Sequence, residues 1–443
     1  MIRLTAGVCL LWTTCGAAVA VDGVFPYPYH KHTLPNGLTA IIIPMESPGL
    51  VAYYSVVRTG SRDEVEPGRS GFAHFFEHMM FRGTKKYPQN AYNAIVTGIG
   101  AQANAFTTDD LTAYHLTFAK VDLEKVIEIE SDRFQNLDYG KPAFQTEAGA
   151  VYGEYRKSVT EPFALLQEKL QDTAYDVHTY KHTTMGFEAD IKTMPAAYDY
   201  SREFFRRFYR PENVVLIVAG DVDPKAAMTL IEKYYGKWKK GYVAPDVKME
   251  PIHTKERTAE VSYPGRTLPL LVVAYQGDAY DPANRDYVAA LLLDDLAFGE
   301  SSPLFRKLVI EEQKVQFIGA HFPQNRNMPL FEIISMVKKA DDLDYVKNEI
   351  YRTLEEFKEE PADAKKLAEL KRRNKYAFLM QLDTPDHVAG ALARLAALTG
   401  SIETVNEFYA AIDKVTPEDV QNAARRYFVP GRRTVVVLKG AAE

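Results

Sequence analysis

Cysteine is nearly absent from this chain of 443 residues, which contains only Cys9 and Cys15. Both lie within residues 1–20, a segment that we expect to be removed from the mature protein. The mature protein would then contain no cysteine, which excludes disulfide bonds and cysteine-ligated metal sites. Any metal ion would have to be held by histidine, aspartate or glutamate side chains.

An excess of positive charge is absent as well. The 53 lysines and arginines are outnumbered by 59 aspartates and glutamates, so the formal net charge is -6 at pH 7, and loss of Arg3 takes it to -7. This mild acidity argues against a nucleic-acid partner. After residue 20 the sequence also lacks an apolar stretch of the ~20 residues that span a membrane.

The N-terminal segment has the features of a signal peptide. Arg3 is its only charged residue, an apolar stretch runs from Leu4 to Trp12, and Ala18 and Ala20 are small residues at the cleavage positions. We therefore expect cleavage after Ala20 and a periplasmic or secreted protein. A membrane anchor is the alternative, but the apolar stretch is shorter than the ~20 residues of a spanning helix.

The length of the chain predicts two domains. The patterning predicts a hairpin from His32 to Pro44 around the turn Pro35-Asn36-Gly37, strands at 51–59, 102–107, 111–118 and 214–219, and mainly helices at 122–207. The expected fold class is α/β (α+β), with two similar domains that each contain a mainly antiparallel sheet packed with helices.

A weak internal repeat supports the two-domain prediction. The segment Phe208-Tyr-Arg-Pro211 precedes the apolar run Val214 to Gly220, and Tyr427-Phe-Val-Pro430 precedes a similar run, Thr434 to Gly440. The offset of about 220 residues is close to half of the mature chain. We expect an N-terminal domain at residues 21–240, a linker at 241–256 and a C-terminal pseudo-repeat domain at 257–443.

The segment after Ser70 contains the most specific chemical motif. Ser70 is a candidate cap for a helix that ends at Gly83 and places His74, Glu77 and His78 on one face. Two histidines one turn apart can bind one Zn²⁺, and the intervening carboxylate can reach a water molecule at the metal. The competing interpretation is a pair of core histidines that are hydrogen-bonded to backbone or carboxylate groups. The spacing of the two histidines, with a glutamate between them, favours the zinc site.

A catalytic zinc site needs a third protein ligand, which must come from elsewhere in the chain. The segment Pro142 to Ser158 is predicted to be a helix, and its Glu147 and Glu154 are seven residues apart on one face. A solvated acidic face is the competing interpretation of these two residues. The residues alone do not distinguish Glu154 from the other acidic side chains.

The sequence from His74-Phe-Phe-Glu77-His78 to Lys85, together with Glu147-x6-Glu154, resembles the pitrilysin, insulysin and mitochondrial processing peptidase family of zinc endopeptidases, the short bacterial members most. This resemblance implies that Zn²⁺ is held by His74, His78 and Glu154. It also implies that Glu77 is the general base and that Glu147 orients a ligand histidine or assists proton transfer.

The resemblance also implies a substrate-binding edge strand. Gly100 to Thr107 is similar to the active-site strand of the family, so the strand around Asn104, Ala105 and Phe106 would pair with a peptide or an unfolded polypeptide segment. The segment from Ser301 to Arg306 resembles the region around a substrate-binding arginine of many relatives. The expected tyrosine is replaced by Phe317, which has no hydroxyl group.

Half-length relatives often act in pairs, so we expect a dimer, either with a family member that supplies the arginine and tyrosine or with a second copy of this chain. The main alternative to an enzyme is a non-catalytic structural or interaction subunit of the same fold. Such subunits typically lack a ligand or the base, whereas His74, Glu77, His78 and Glu154 are all present here. The remaining histidines, among them His178, His182 and His253, are expected to be ordinary surface or core residues.

Overall fold

The computed structural model describes residues 23–441, so the predicted signal peptide lies outside the described residues. The strands are β1 (His30–Thr33), β2 (Thr39–Pro44), β3 (Leu50–Val57), β4 (Gln102–Thr107), β5 (Thr112–Ala119), β6 (Val214–Gly220), β7 (Arg257–Ser262), β8 (Leu270–Gln276), β9 (Val315–His321), β10 (Leu330–Val337) and β11 (Arg433–Lys439). Every strand predicted from the sequence is present within one or two residues of the expected bounds.

The helices of the N-terminal half are α1 (Phe72–Met79), α2 (Gln89–Gly98), α3 (Leu123–Asn136), α4 (Lys141–Ser158), α5 (Pro162–Ala174), α6 (Glu188–Thr193), α7 (Tyr198–Phe208) and α8 (Pro224–Tyr235). Those of the C-terminal half are α9 (Arg285–Phe298), α10 (Pro303–Phe305, continued by a π-helix Arg306–Glu311), α11 (Leu343–Glu359), α12 (Ala364–Gln381), α13 (Pro385–Thr399), α14 (Thr404–Lys414) and α15 (Pro417–Tyr427). The fold class predicted from the sequence is confirmed.

Two mainly antiparallel sheets organise these elements. The first has the strand order β1-β2-β6-β3-β5-β4 and the second has the order β7-β11-β8-β10-β9. The only parallel pairs in the described sheets are β2 with β6 and β7 with β11. Strands β2 to β6 therefore correspond one by one to β7 to β11, and the two halves share one topology.

The repeat noticed in the sequence marks equivalent positions in the two halves. Helix α7 is followed by a 3-10 turn at Pro211–Asn213 and then by β6, and α15 is followed by a 3-10 turn at Pro430–Arg432 and then by β11. In both halves the proline begins the turn that precedes an interior strand of the sheet. The predicted domain limits, 21–240, 241–256 and 257–443, stay a prediction.

Each sheet is covered on one face by a helix from the other half of the chain. Helix α13 packs on β3 and β6 of the first sheet, where Val388 and Leu392 join a buried cluster with Tyr54. Helix α5 packs on β7 and β11, where Leu166 and Leu170 contact the second sheet. Because both faces of each sheet are buried, the central strands are continuous apolar runs and do not alternate.

Within residues 23–441, no single helix is both long and apolar enough to cross a membrane, although α13 and α14 together, bent by 90°, have a suitable length and composition.

Candidate metal centre

Helix α1 separates an apolar side from a polar side. Phe72, Phe75, Phe76 and Met79 are buried in the core of the N-terminal half. His74, Glu77 and His78 project from the opposite side, and all three are half-buried. The helix tightens into a 3-10 turn at Met80–Arg82 and ends at Gly83, whose φ of 85° favours glycine.

The predicted capping role of Ser70 is wrong. The helix begins after Gly71, and the buried carboxylate of Glu64 accepts hydrogen bonds from the backbone N–H groups of Gly71 (2.7 Å) and Ala73 (2.6 Å). Burial raises the pKa of Glu64 well above its usual range, and the two backbone donors oppose that shift. Ser70 donates its hydroxyl to Asp190 instead, because the chain before α1 packs against α6.

Helices α1 and α4 bring two imidazoles and one carboxylate together. Nε2 of His74 lies 3.4 Å from Oε2 of Glu154, and Nε2 of His78 lies 3.5 Å from the same oxygen. The two imidazole rings are nearly perpendicular, with centroids 5.0 Å apart. The pKa of Glu154 is lowered, mainly by its hydrogen bond with His74.

These separations fit a zinc ion. With Zn–N and Zn–O bonds of about 2.0–2.1 Å, tetrahedral ligand atoms lie about 3.3 Å apart. The two observed separations of 3.4 and 3.5 Å are close to that value. The donor set of two imidazoles and one carboxylate is also that of a catalytic site with an open fourth position. The residues present therefore fit a zinc ion.

Glu147 lies behind His78 and not in the donor set. Its Oε2 is 3.4 Å from Nδ1 of His78, and its other oxygen forms an ion pair with Arg82. Glu147 is buried, whereas the Glu154 side chain is 50% exposed, so only Glu154 faces the open side of the cluster. Glu147 is thus placed to hold the ring orientation of His78.

Glu77 is linked to the edge strand of the first sheet. Its Oε2 accepts a hydrogen bond of 2.7 Å from the hydroxyl of Thr107, the last residue of β4. The backbone carbonyl of Phe76 accepts a hydrogen bond of 2.9 Å from Tyr114 of the neighbouring strand β5. These two contacts hold the helix against the sheet at the position of Glu77.

Strand β4 has one free edge because it pairs only with β5 in the described sheet. The N–H group of Ala105 does not take part in that pairing: it donates to the side-chain carbonyl of Asn104 at 2.9 Å. The N–H group of Ala105 therefore points away from β5. Asn104 is exposed and Phe106 is 36% exposed, so this edge is open to an added strand.

Arg306 and Phe317 are not brought into the His–Glu cluster. Arg306 is exposed and pairs with Glu311 at 2.9 Å. The ring of Phe317 lies 5.9 Å from that of Phe163 on α5, which is itself 41% exposed. Both side chains belong to the C-terminal half, and neither contacts the described ligand candidates.

A second group of candidate ligand atoms consists of Asp176, Glu250 and His253. Both oxygens of Glu250 already accept backbone hydrogen bonds, from Asp176, Val177 and His178, at 2.8–3.0 Å. His253 lies 3.1 Å from Glu250, and Arg257 pairs with Asp176. The carboxylates are thus occupied, and the cluster ties the segment before β7 to the N-terminal half. His253 and His178 are buried, in agreement with the expectation of core residues.

Sequence reasoning missed Glu64, Arg82 and Thr107. Arg82 and Thr107 act through contacts between segments distant in sequence, whereas Glu64 contacts Gly71 and Ala73 across the loop before α1. Only Arg82, four residues after His78, had a local signal in its helical spacing. The contact that positions Thr107 depends on the pairing of β4 with β5 and on the packing of α1 against the sheet.

Comparisons with known proteins show the family and the fold to which the chain is similar. A family model described as Insulinase (Peptidase family M16) matches residues 50–188, and one described as Peptidase M16 inactive domain matches residues 196–374. The protein named zinc protease PqqE from Helicobacter pylori is 28% identical over 437 residues, which cover 97% of this chain and 97% of that protein.

Solved structures share the fold. A protease from Helicobacter pylori has a TM-score of 0.87 at 27% identity, over 93% of this chain and 99% of that chain. The periplasmic protease PqqL from Escherichia coli has a TM-score of 0.76 at 19% identity, over 95% of this chain but only 48% of that chain. The second likeness is to the fold alone.

Proposed function

This chain belongs to the M16 peptidase family, and on that premise we propose that it is a zinc-dependent endopeptidase acting on peptides or unfolded protein segments. One observation carries the proposal: Nε2 of His74, Nε2 of His78 and Oε2 of Glu154 converge to zinc-ligand spacing beside the carboxylate of Glu77. A structural histidine pair would not require a further carboxylate on the same face of the helix.

His74, His78 and Glu154 would hold the zinc ion. When bound, zinc polarises a carbonyl group and makes water acidic enough to be a nucleophile near neutral pH. Glu77 takes a proton from the attacking water and later delivers it to the leaving amine. The Thr107 hydroxyl holds one oxygen of Glu77, which leaves the other oxygen free for the proton. Glu147, held by Arg82, keeps the His78 ring in its ligand orientation.

Strand β4 would bind the substrate by strand addition. The outward N–H group of Ala105 donates to the Asn104 side chain, which an extended peptide can displace with its own carbonyl group. Such pairing uses the substrate backbone and therefore selects extended segments over folded ones. Asn104, Ala105 and Phe106 are accordingly proposed as substrate-binding residues.

We also propose that a second family chain completes the site. The chain covers 48% of the two-half protease PqqL, so one copy corresponds to half of that protein. Arg306 is exposed and Phe317 has no hydroxyl, so a partner would supply the arginine and tyrosine. Because PqqL is described as periplasmic, the same location is proposed for this chain.

The competing proposal is a non-catalytic family member, which the match to the M16 inactive domain at residues 196–374 keeps open. The test measures bound zinc and cleavage of an unstructured peptide by wild type, Glu77→Gln and the control Glu369→Gln, an exposed glutamate on α12. We expect stoichiometric zinc in all three proteins and loss of cleavage only in Glu77→Gln. Zinc binding without cleavage by the wild-type assembly would support the non-catalytic alternative.

A further inference from the structure

We propose that a concave surface behind helix α1 is a binding site for a phosphate-bearing anion, separate from the His74–His78–Glu154 cluster. This surface, the basic pocket, has a volume of about 340 Å³ and lies where α3, α7 and α8 end. Its volume is at the lower end of the range for small-molecule sites. The proposal does not depend on peptidase activity.

Four cations line the basic pocket: Arg206, Arg210, Lys237 and Lys239. Within residues 23–441, none of the four has a carboxylate oxygen within 4.0 Å, and the lining contains no aspartate or glutamate. The chain as a whole has a formal charge of -6, so composition does not account for this concentration of positive charge. Four uncompensated cations around one concavity favour an anionic ligand.

The ends of the three helices do not account for these cations. Each helix C-terminus carries about half a negative charge, so three ends offset roughly 1.5 of the four positive charges. Neutral amides satisfy terminal carbonyl groups of α7 and α8: Gln135 donates to Tyr234 at 3.0 Å, Asn36 to Tyr235 at 2.8 Å and Asn213 to Phe208 at 3.0 Å. Of the four cations, Arg210 donates through Nε to the carbonyl of Arg206 in the last turn of α7. Helix capping therefore accounts for Arg210 alone, and Arg206, Lys237 and Lys239 form no such bond among the described residues.

The excess charge favours phosphate over carboxylate. A phosphate monoester carries about -1.5 to -2 at neutral pH, so two linked phosphate groups match the pocket in a small volume. Three or four carboxylates would be needed for the same charge. Arginine also binds two phosphate oxygens at once. The buried rings of Phe134, Tyr209 and Trp238 form an apolar wall that strengthens such contacts.

The basic pocket contacts the back of the helix that carries the metal ligands. Phe205 of the pocket stacks on Phe76 of α1 with ring centroids 6.1 Å apart. The hydroxyl of Tyr209 is 2.6 Å from that of Tyr114, which donates to the carbonyl of Phe76. Phe76 faces away from His74 on the helix, so an anion and a peptide substrate would bind without competing.

Inorganic pyrophosphate is the probe for the test. In a chain carrying Trp12→Phe, Trp238 is the only tryptophan and reports on the pocket by fluorescence, while calorimetry measures the stoichiometry. We expect saturable 1:1 binding that Arg206→Gln/Arg210→Gln weakens at least tenfold. The charge-matched control Lys365→Gln/Lys366→Gln, on exposed α12, should bind as the wild type does.

A second variant, Lys237→Gln/Lys239→Gln, keeps the test decisive if the arginine variant does not fold. Vesicles of phosphatidylcholine with and without phosphatidylglycerol separate the two sources of phosphate. Binding to anionic vesicles alone, lost in a folded pocket variant, would assign the site to lipid headgroups and support the proposal. Equal pyrophosphate affinity in wild type and pocket variants, or no binding of pyrophosphate or anionic vesicles, would overturn it.

Discussion

The Thr107 hydroxyl donates a hydrogen bond of 2.7 Å to Oε2 of Glu77, which ties the proposed base to the edge strand β4. Hydrogen bonds to charged groups contribute about 1.5–3 kcal/mol. Thr107→Val keeps the shape but removes the donor, so we predict a kcat about 10- to 100-fold lower with zinc content unchanged. Thr107→Ser should retain most of the activity. Equal kcat for Thr107→Val and wild type would show that this contact does not orient Glu77.

The ion pair between Arg82 and Glu147 should support metal binding. Arg82→Met leaves a buried carboxylate beside His78 without its cation, so the His78 ring loses its fixed orientation. We predict zinc affinity about 10- to 100-fold weaker, measured by competition with a chelator. The control is Lys85→Met, three residues later, whose side chain is 89% exposed. An unchanged zinc affinity in Arg82→Met would remove the supporting role of this pair.

The outward N–H group of Ala105 should contribute to substrate binding without contributing to the sheet. Ala105→Pro removes that donor but leaves the pairing of β4 with β5 intact. We predict a kcat/KM for unstructured peptides at least 5-fold lower, with little change in the free energy of unfolding. Phe106→Pro, whose N–H faces β5, should instead destabilise the protein. A peptide-cleavage assay and urea unfolding of both variants check this.

The docking of α13 on the first sheet should depend on pH. Asp386 accepts hydrogen bonds from Tyr54 (3.0 Å) and Thr117 (3.1 Å), and His115 lies 3.5 Å away. The pKa of Asp386 is lowered, first by the His115 contact. Because the pKa is lowered in the folded state, the carboxylate stabilises the fold at pH values above the unfolded pKa of about 4, and this contribution is lost as the pH falls from there through the lower pKa of the folded state.

We therefore predict that Asp386→Asn reduces the free energy of unfolding by about 1 kcal/mol at pH 7, a value discounted for partial exposure. The difference from wild type should shrink as the pH is lowered from 7 to about 3, below the unfolded pKa, in urea titrations. Asp383→Asn, which affects an exposed pair with His387, is the matched control and should change the stability little. A destabilisation that is the same at both pH values would contradict the proposed titration.

Local sequence was sufficient for the elements that carry the candidate site. Helical spacing predicted that His74, Glu77 and His78 share one face, and β4 was predicted with its observed bounds, 102–107. These predictions depend on chain geometry over a few residues, which the amino-acid order specifies directly. Ser70 was assigned wrongly because a serine near a helix start is a local signal, whereas Glu64 reaches the helix through a buried loop contact.

The roles of Glu147 and Glu154 depend on packing. Both residues lie on one face of α4, so their spacing alone does not show which of them is the metal ligand. Packing of α4 against α1 places Glu154 on the open side at Nε2 of both histidines and Glu147 on the buried side at Nδ1 of His78. Only the relative position of two helices distinguishes them.

The amino-acid sequence by itself determined the strands, the repeated halves and the inverted histidine–glutamate motif, because periodicity and turn residues act over short distances. The tertiary structure decided which carboxylate lies beside the imidazoles. It also decided that α5 packs on the second sheet and α13 on the first, so that each sheet is covered by a helix from the other half. It also formed the basic pocket from the ends of α3 and α7 and from the segments that follow α7 and α8. These features depend on contacts between segments tens to hundreds of residues apart, for which the local pattern of side chains contains no direct signal.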